Sequence, residues 1–469
     1  MQIEMNKQSL QICGIFCSIV IVVVSILLRN QNDISNCLLN YMLFLVNGLM
    51  WTILLIKSIK KYPFSLEIMH WFFCLFFFFF AALTQYINND YAWGVLLDNQ
   101  TILKCNICLF IYTFSVVVGA ALFKNPKIFN GKSQEAVLDI RKKAGCLTFI
   151  STISVAYRIK SCGFSNMLSR STAQTVVFVS EPSLNMMICG MLTAVTFYGV
   201  IFSYIEYRKN KCAIGAFLVV VNLLLMIFGY FPTSLARYAT GVLYLGSMLI
   251  CFEFMKKNRN FIVVFIFAFI IILPLLNAWR FVSFQEVSVV DSLNSILSDF
   301  TNVWLDNDYD AFTELGMSIE HVEKYGIGGW HLLSIALFWV PRRVWPNKAL
   351  AGAHDVTVAR NDVSFDNVSC SLPEEGILDG GIIGLVFVGF FVGVLINKID
   401  KSYFCKTNRI RYIRNYDLIY PVVVIFFFFM VRGDMLWTFP YLVSYLLVWG
   451  WLTYGFSGFR INIYKRINK

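Results

Sequence analysis

The segment Pro341–Lys348 reads PRRVWPNK and places three cations, Arg342, Arg343 and Lys348, within seven residues alongside two prolines, Pro341 and Pro346, that forbid a continuous helix. A guanidinium is a planar fork that matches two oxygens of a phosphate or carboxylate, whereas a lysine ammonium is a mobile point charge. Trp339 and Trp345 flank the cluster with rings suited to the headgroup zone of a bilayer. Bacterial membrane proteins keep most Lys and Arg on the cytoplasmic side, so a cluster on the opposite side points to anion binding rather than to control of orientation. Three more arginines stand at ends of apolar runs on that side: Arg237 in FPTSLARY, Arg280 in LNAWRF and Arg432 in VRGD. Each alone is explained by a snorkelling anchor or a paired loop charge. Together with Arg342 and Arg343 they predict five guanidiniums converging on a diphosphate or other polyanion. Arg158, Lys160 and Arg170 make a second basic stretch, which a short amphipathic helix lying on the headgroups explains equally well.

A hydroxyl that attacks such a substrate needs a base within hydrogen-bond reach. Glu374 and Glu375 precede an apolar run containing Gly380, Gly381, Gly384, Gly389 and Gly393, and Glu375 is the candidate base. Solvated loop acids, or partners for the arginines, are the plainer reading of the pair. Asp308 and Asp310 in DNDYDAF are rival bases, and the glycines read as helix-packing positions. The four histidines are scattered, and Cys105 and Cys108 form a lone CxxC without a second pair at zinc spacing, so no metal or other cofactor is expected. Most of the thirteen cysteines sit in apolar runs as small hydrophobes, and no disulfide is expected.

The elements that must position these groups are membrane helices. The chain is 58% hydrophobic and only 14% charged, with a mean hydropathy of +0.65. Apolar runs fit a hydrocarbon core of about 30 Å at 10–28, 38–56, 65–86, 102–123, 184–205, 212–230, 238–255, 261–279, 376–396, 417–431 and 437–456, with a shorter one at 145–158. Arg141–Lys143 and Arg208–Lys211 must both be cytoplasmic, which requires the short run to cross and makes twelve spans with both termini inside. The first run lacks a small-residue cleavage site and reads as a span. The expectation is therefore an all-α polytopic membrane protein in three parts. Residues 1–279 form a bundle of nine spans, 280–375 a large outward loop, and 376–469 three further spans and a cytoplasmic tail. The loop holds six cations and fourteen carboxylates, a charge of −8 against +19 for the rest, so the total of +11 reflects basic loops beside anionic lipid and not nucleic-acid binding. Within the loop, His331–Val340 is too short to span and predicts a re-entrant or interfacial helix that delivers PRRVWPNK to phosphate depth. The phenylalanine runs Phe76–Phe80 and Phe426–Phe429 read as lipid-facing bulk.

FWVPRRVWPNK followed by SLPEEGILDGGIIG resembles the bacterial oligosaccharide repeat-unit polymerases, also called O-antigen polymerases. Pro341, Arg342, Trp345, Pro346 and Lys348 match the family's IPR-x-x-W-P-x-K-P element; Glu375, Gly381 and Gly384 match its later Glu- and Gly-containing element. FPTSLARY is similar to the N-x-P-x-S-x-x-R-Y element through Pro232, Ser234, Arg237 and Tyr238, and RGD carries Arg432. The likeness covers about 230–435. The chain departs from it where Ala349 replaces a proline, Glu374 a glycine, and Ile377, Asp379 and Gly380 a Tyr, Asn and Phe. The resemblance implies a GT-C-like glycosyltransferase on the outer face of the cytoplasmic membrane. Such an enzyme moves a growing glycan from undecaprenyl diphosphate to a lipid-linked acceptor repeat. Glu375, Arg342 and Arg237 would be catalytic, and Arg280, Arg343, Trp345, Lys348 and Arg432 would bind substrate. Membrane lipid, a chain-length regulator and a flippase are its implied partners. An O-antigen ligase, which attaches the finished glycan to lipid A core, would use the same donor chemistry. A flippase or transporter should line its midplane with polar or charged groups, and here the spans are nearly free of them there, Glu67 and His70 excepted.

Overall fold

The computed structural model describes residues 38–122, 140–163, 167, 177–257, 259–272, 274–275, 302–350, 353–360, 368–407, 415–433 and 435–467. The runs that should cross a membrane form helices wherever they fall in these residues. They are α1 (Leu38–Lys61), α2 (Leu66–Asn88), α3 (Asn99–Leu122), α4 (Ile140–Cys162), α5 (Pro182–Asn210) and α6 (Ala213–Gly229). After these come α7 (Arg237–Cys251, with a π turn at Gly241–Gly246) and α8 (Asn260–Ile272). The segment before the last three long helices carries α9 (Ala311–Tyr325), α10 (His331–Ala336) and α11 (His354–Val358), and the chain ends in α12 (Leu372–Thr407), α13 (Asn415–Arg432) and α14 (Met435–Ile467). Six helices, α1, α2, α3, α5, α12 and α14, are long and apolar enough to cross a membrane, which defines an all-α membrane-embedded protein. The expected run at 10–28 and Arg280 lie outside the described residues.

Two packed groups make the bundle. In one, α12 lies along α3, with α1, α2 and α13 beside them; in the other, α4, α6 and α14 surround α5. Small residues set the first contact. A Cβ on Gly393 would stand 2.0 Å from the Val116 carbonyl oxygen, and one on Gly119 would stand 2.1 Å from that of Phe390, so only glycine admits this approach. Polar side chains join helices that share no hydrophobic drive in lipid: Trp51 Nε1 donates to Thr113 Oγ1 at 2.8 Å, and Asn222 Nδ2 to Ser203 Oγ at 2.8 Å. Asp400 on α12 caps α2, accepting the Leu66 and Glu67 amides at 3.1 Å each and the Tyr420 hydroxyl at 2.6 Å.

The phenylalanine runs are not lipid-facing, contrary to the expectation. Phe76–Phe80 form a π turn inside α2, the most enclosed helix, and Phe426–Phe429 are buried on α13. Phe72, Phe265, Phe269 and Phe428 meet edge to face, with centroids 5.0–6.1 Å apart in the pairs Phe72–Phe265, Phe72–Phe269, Phe72–Phe428, Phe265–Phe428 and Phe269–Phe428. Hydropathy cannot separate lipid from a packed aromatic interior, because both are apolar.

The span expected at 376–396 differs at its start. The helix begins at Leu372 and breaks at Gly380 and Gly381, where Gly381 takes φ +58° and ψ −141°. That is left-handed backbone suited to glycine. The limb before the break folds against the limb after it so closely that a Cβ on Gly384 would lie 2.1 Å from the Gly376 carbonyl oxygen. Glu374 and Glu375 therefore stand in a buried helical limb rather than in a solvated loop mouth. The helix expected over His331–Val340 is α10, which closes at Ala336 and continues as a turn into Pro341.

Candidate functional site

At one end of the bundle, the segment from 302 to 371 gathers carboxylates beneath two arginines. Arg237 begins α7 and pairs with Asp308. Arg432 ends α13; its Nη2 donates to the Asp308 carbonyl at 2.7 Å and stands 3.7 Å from Asp310 Oδ1, with its guanidinium over the Phe77 ring at 5.7 Å. Sequence reading placed Arg237 and Arg432 near a common ligand, and the fold brings both to DNDYD, the same stretch that supplied the rival bases. Asp310 is 2% exposed and accepts the Ser369 hydroxyl at 2.7 Å and the Trp93 indole at 3.3 Å. Burial pushes its carboxyl up, against the pull of Arg432. Both rival bases are thus engaged.

One turn into α9 sits Glu314, fully buried. Neither of its oxygens has a partner of hydrogen-bond geometry, the neighbouring Trp93 indole being held by Asp310. Burial, then Asp310 and Glu374, push the Glu314 carboxyl well above its ordinary range. Across from it, Glu374 Oε1 accepts the Ser318 hydroxyl at 3.3 Å and Oε2 the Ser371 amide at 2.5 Å. Glu375, 2% exposed, points at His331, whose Nδ1 is 3.6 Å from Oε2. The other face of that imidazole, Nε2, is 4.0 Å from Asp355. Burial holds His331 below its ordinary value, with Asp379 and Asp355 opposing. Asp379 accepts the His331 and Leu332 amides at 2.7 Å each and so caps α10. That cap ties the segment carrying PRRVWPNK to the glycine break of α12.

PRRVWPNK itself is a tight turn, with the Val344 and Trp345 amides donating to the Pro341 carbonyl at 2.9 and 3.1 Å. Arg342 folds back on it: Nη2 donates to the Ala349 carbonyl at 2.8 Å and Nη1 to that of Lys348 at 2.5 Å, while its amide meets Glu181 Oε2 at 3.3 Å. Lys348 is 3% exposed, donating to the carbonyls of Phe338 at 2.7 Å and Val340 at 3.1 Å, with Glu181 Oε1 at 3.7 Å. Burial lowers its ammonium pKa and Glu181 opposes. Arg343 is exposed and Trp345 half-buried. These contacts divide the expected arginines into two groups, Arg237 with Arg432 on Asp308, and Arg342 with Lys348 at Glu181. Among the described residues no group of three or more His, Cys, Asp or Glu is arranged to hold a metal ion.

Sequence reasoning missed Glu181, Glu314, His331 and Asp379. Only the fold gives Glu181 and Asp379 their partners. Glu314 carried a weak signal, an acid among apolar neighbours on the inner face of α9. Comparisons with protein-family models, with curated proteins and with solved structures find no match for this chain.

Proposed function

We propose that the protein is a polymerase of lipid-linked oligosaccharide repeat units for a bacterial surface polysaccharide. It would work in the cytoplasmic membrane as a GT-C-like enzyme of twelve spans, with both termini cytoplasmic and the 280–375 loop outside. The observation that carries the reading is the meeting of Arg237 and Arg432 on Asp308, at the bundle end that also holds the buried Glu375. A diphosphate entering there competes with Asp308 for the guanidiniums, exchanging one carboxylate for a group of higher charge and more acceptor oxygens. The acceptor sugar hydroxyl attacks the anomeric carbon as the bond from that carbon to the diphosphate oxygen breaks. Undecaprenyl diphosphate leaves with the electron pair, stabilised by the arginines, and Glu375 takes the hydroxyl proton. Arg342 and Lys348 brace the loop around this site through its carbonyls.

Purified protein with synthetic lipid-linked repeat units tests the reading. Glu375→Gln keeps the side chain's shape but cannot accept a proton, so turnover should fall by about 10² to 10⁴ while substrates still bind. Near-normal turnover would remove Glu375 as the base. In cells, loss of a polymerase leaves single repeats on the surface glycan, whereas loss of a ligase leaves long polymer on the carrier lipid. The second pattern would overturn the assignment in favour of a ligase.

A further inference from the structure

Away from the acidic site, α4, α5, α6 and α14 line a small open cleft of about 40 Å³, with Ser154, Arg158, Thr193, Tyr230 and Tyr441 among its walls. Arg158 stands near the end of α4, on the side of the bundle where α6 runs toward Arg237. Its guanidinium lies over the Tyr230 ring at 5.1 Å, and its Nε is buried without a hydrogen-bond partner. No carboxylate among the described residues forms an ion pair with it. An enclosed N–H of a permanent cation that lacks an acceptor carries a desolvation cost that an anion would offset. The cleft also offers hydroxyls: Ser154 Oγ and Tyr230 OH are 2.9 Å apart, and Thr193 is buried beside them. Tyr441, on the far wall, packs edge to face on Tyr238 at 5.1 Å, so one aromatic pair separates this cleft from Arg237.

The approach to the cleft identifies the kind of ligand. Phe149, Ile153 and Tyr157, spaced four apart, form one stripe down α4 and are 67%, 53% and 44% exposed, which in a bilayer is a surface for hydrocarbon. The stripe ends at Arg158, and Tyr157 stacks on Phe178 at 5.3 Å to form the rim. We infer that the Arg158 cleft binds the phosphate of a membrane amphiphile whose hydrocarbon chain lies along this face of α4. Phosphate oxygens would accept from the guanidinium and from the Ser154–Tyr230 hydroxyl pair. Bilayer phospholipids and polyprenyl phosphates both carry this headgroup chemistry. The inference stands apart from the proposed transferase activity, because its ligand is read by binding alone.

Native mass spectrometry of the full chain in detergent tests it. The protein is titrated with phosphatidylglycerol, with undecaprenyl phosphate and with diacylglycerol, which lacks the phosphate. Wild type should hold a phosphate lipid, and Arg158→Gln should weaken it roughly tenfold to a hundredfold, the range for one charge-assisted contact. Arg158→Lys keeps the charge without the fork, so it should fall between the two and serves if the glutamine variant does not fold. Displacement of phosphatidylglycerol by undecaprenyl phosphate assigns the cleft to a lipid-linked sugar carrier, and the reverse assigns it to a bilayer lipid; both support a phosphate site. Equal binding by wild type and both variants, or equal binding of diacylglycerol, would overturn it.

Discussion

Glu314 should make this protein lose stability as pH rises above the ordinary carboxylate range. The carboxyl is fully buried, neither oxygen has a hydrogen-bond partner, and two other carboxylates, Asp310 and Glu374, push it further up. The cation that opposes them, Arg360, is itself held by Glu320 at 2.6 Å. The folded-state pKa of Glu314 is therefore raised, while the unfolded value stays near about 4.3. Between those values the folded state binds a proton that the unfolded state has lost. Stability is greatest below the unfolded value and falls by about 1.4 kcal/mol per pH unit until the folded value is passed. Each pH unit of that window is a sizeable part of the 5–15 kcal/mol typical of a folded protein. Glu314→Gln replaces the neutral acid with a neutral amide of similar shape and removes the slope. Between the unfolded and folded values Glu314 is uncharged in the fold, so there the substitution leaves the field at Asp310 unchanged. Unfolding followed by intrinsic tryptophan fluorescence in detergent, at half-unit steps from pH 5 to 8, reads the difference. The wild-type midpoint should fall relative to the variant as pH rises. Parallel curves across the whole range would refute the placement of Glu314 as a buried, unpaired acid.

Other outcomes test the packing, the arginines and the orientation. Gly393→Ala puts a methyl 2.0 Å from the Val116 carbonyl oxygen and should cost about 1–3 kcal/mol of unfolding free energy, whereas Gly450→Ala, with nothing within 4 Å, should be neutral. Arg237→Ala should collapse polymer to single repeats, and Arg342→Lys should rescue poorly because an ammonium lacks the planar fork whose two arms reach the Lys348 and Ala349 carbonyls; wild-type chain-length ladders from both would remove the arginines from the mechanism. Val344→Cys, at a 75% exposed position in the PRRVWPNK turn, should react with an impermeant maleimide in intact cells, and Lys209→Cys only after permeabilisation, each in a background free of native cysteines. The opposite labelling pattern would invert the orientation and place the arginines on the cytoplasmic side.

Membrane helices are legible in sequence because each must satisfy its own backbone in lipid, so the signal is local. The apolar runs that became α1 to α6 were visible from hydropathy, down to the lysines that end α1. The turn at PRRVWPNK was visible too, since proline removes the amide a helix needs. What local signals could not supply was which charge meets which. Arg237, Asp308 and Arg432 lie far apart in the chain and meet only because α7 and α13 end at the same level beside the 302–310 segment. Arg342 and Lys348 read as ligand-facing cations, yet in the fold they satisfy the carbonyls of their own loop, which no water-exposed strand of the same sequence would require. Asp379 stood in the sequence only as a departure from the family pattern; the break at Gly381 turns it into the cap of α10. The phenylalanine runs show the same boundary, because composition says they avoid water and only packing says they avoid lipid as well. Sequence set the membrane, the helices and the inventory of charges. Tertiary contact decided which of those charges are buried, and burial is what gives Glu314, Asp310 and His331 properties that their residue types do not have in water.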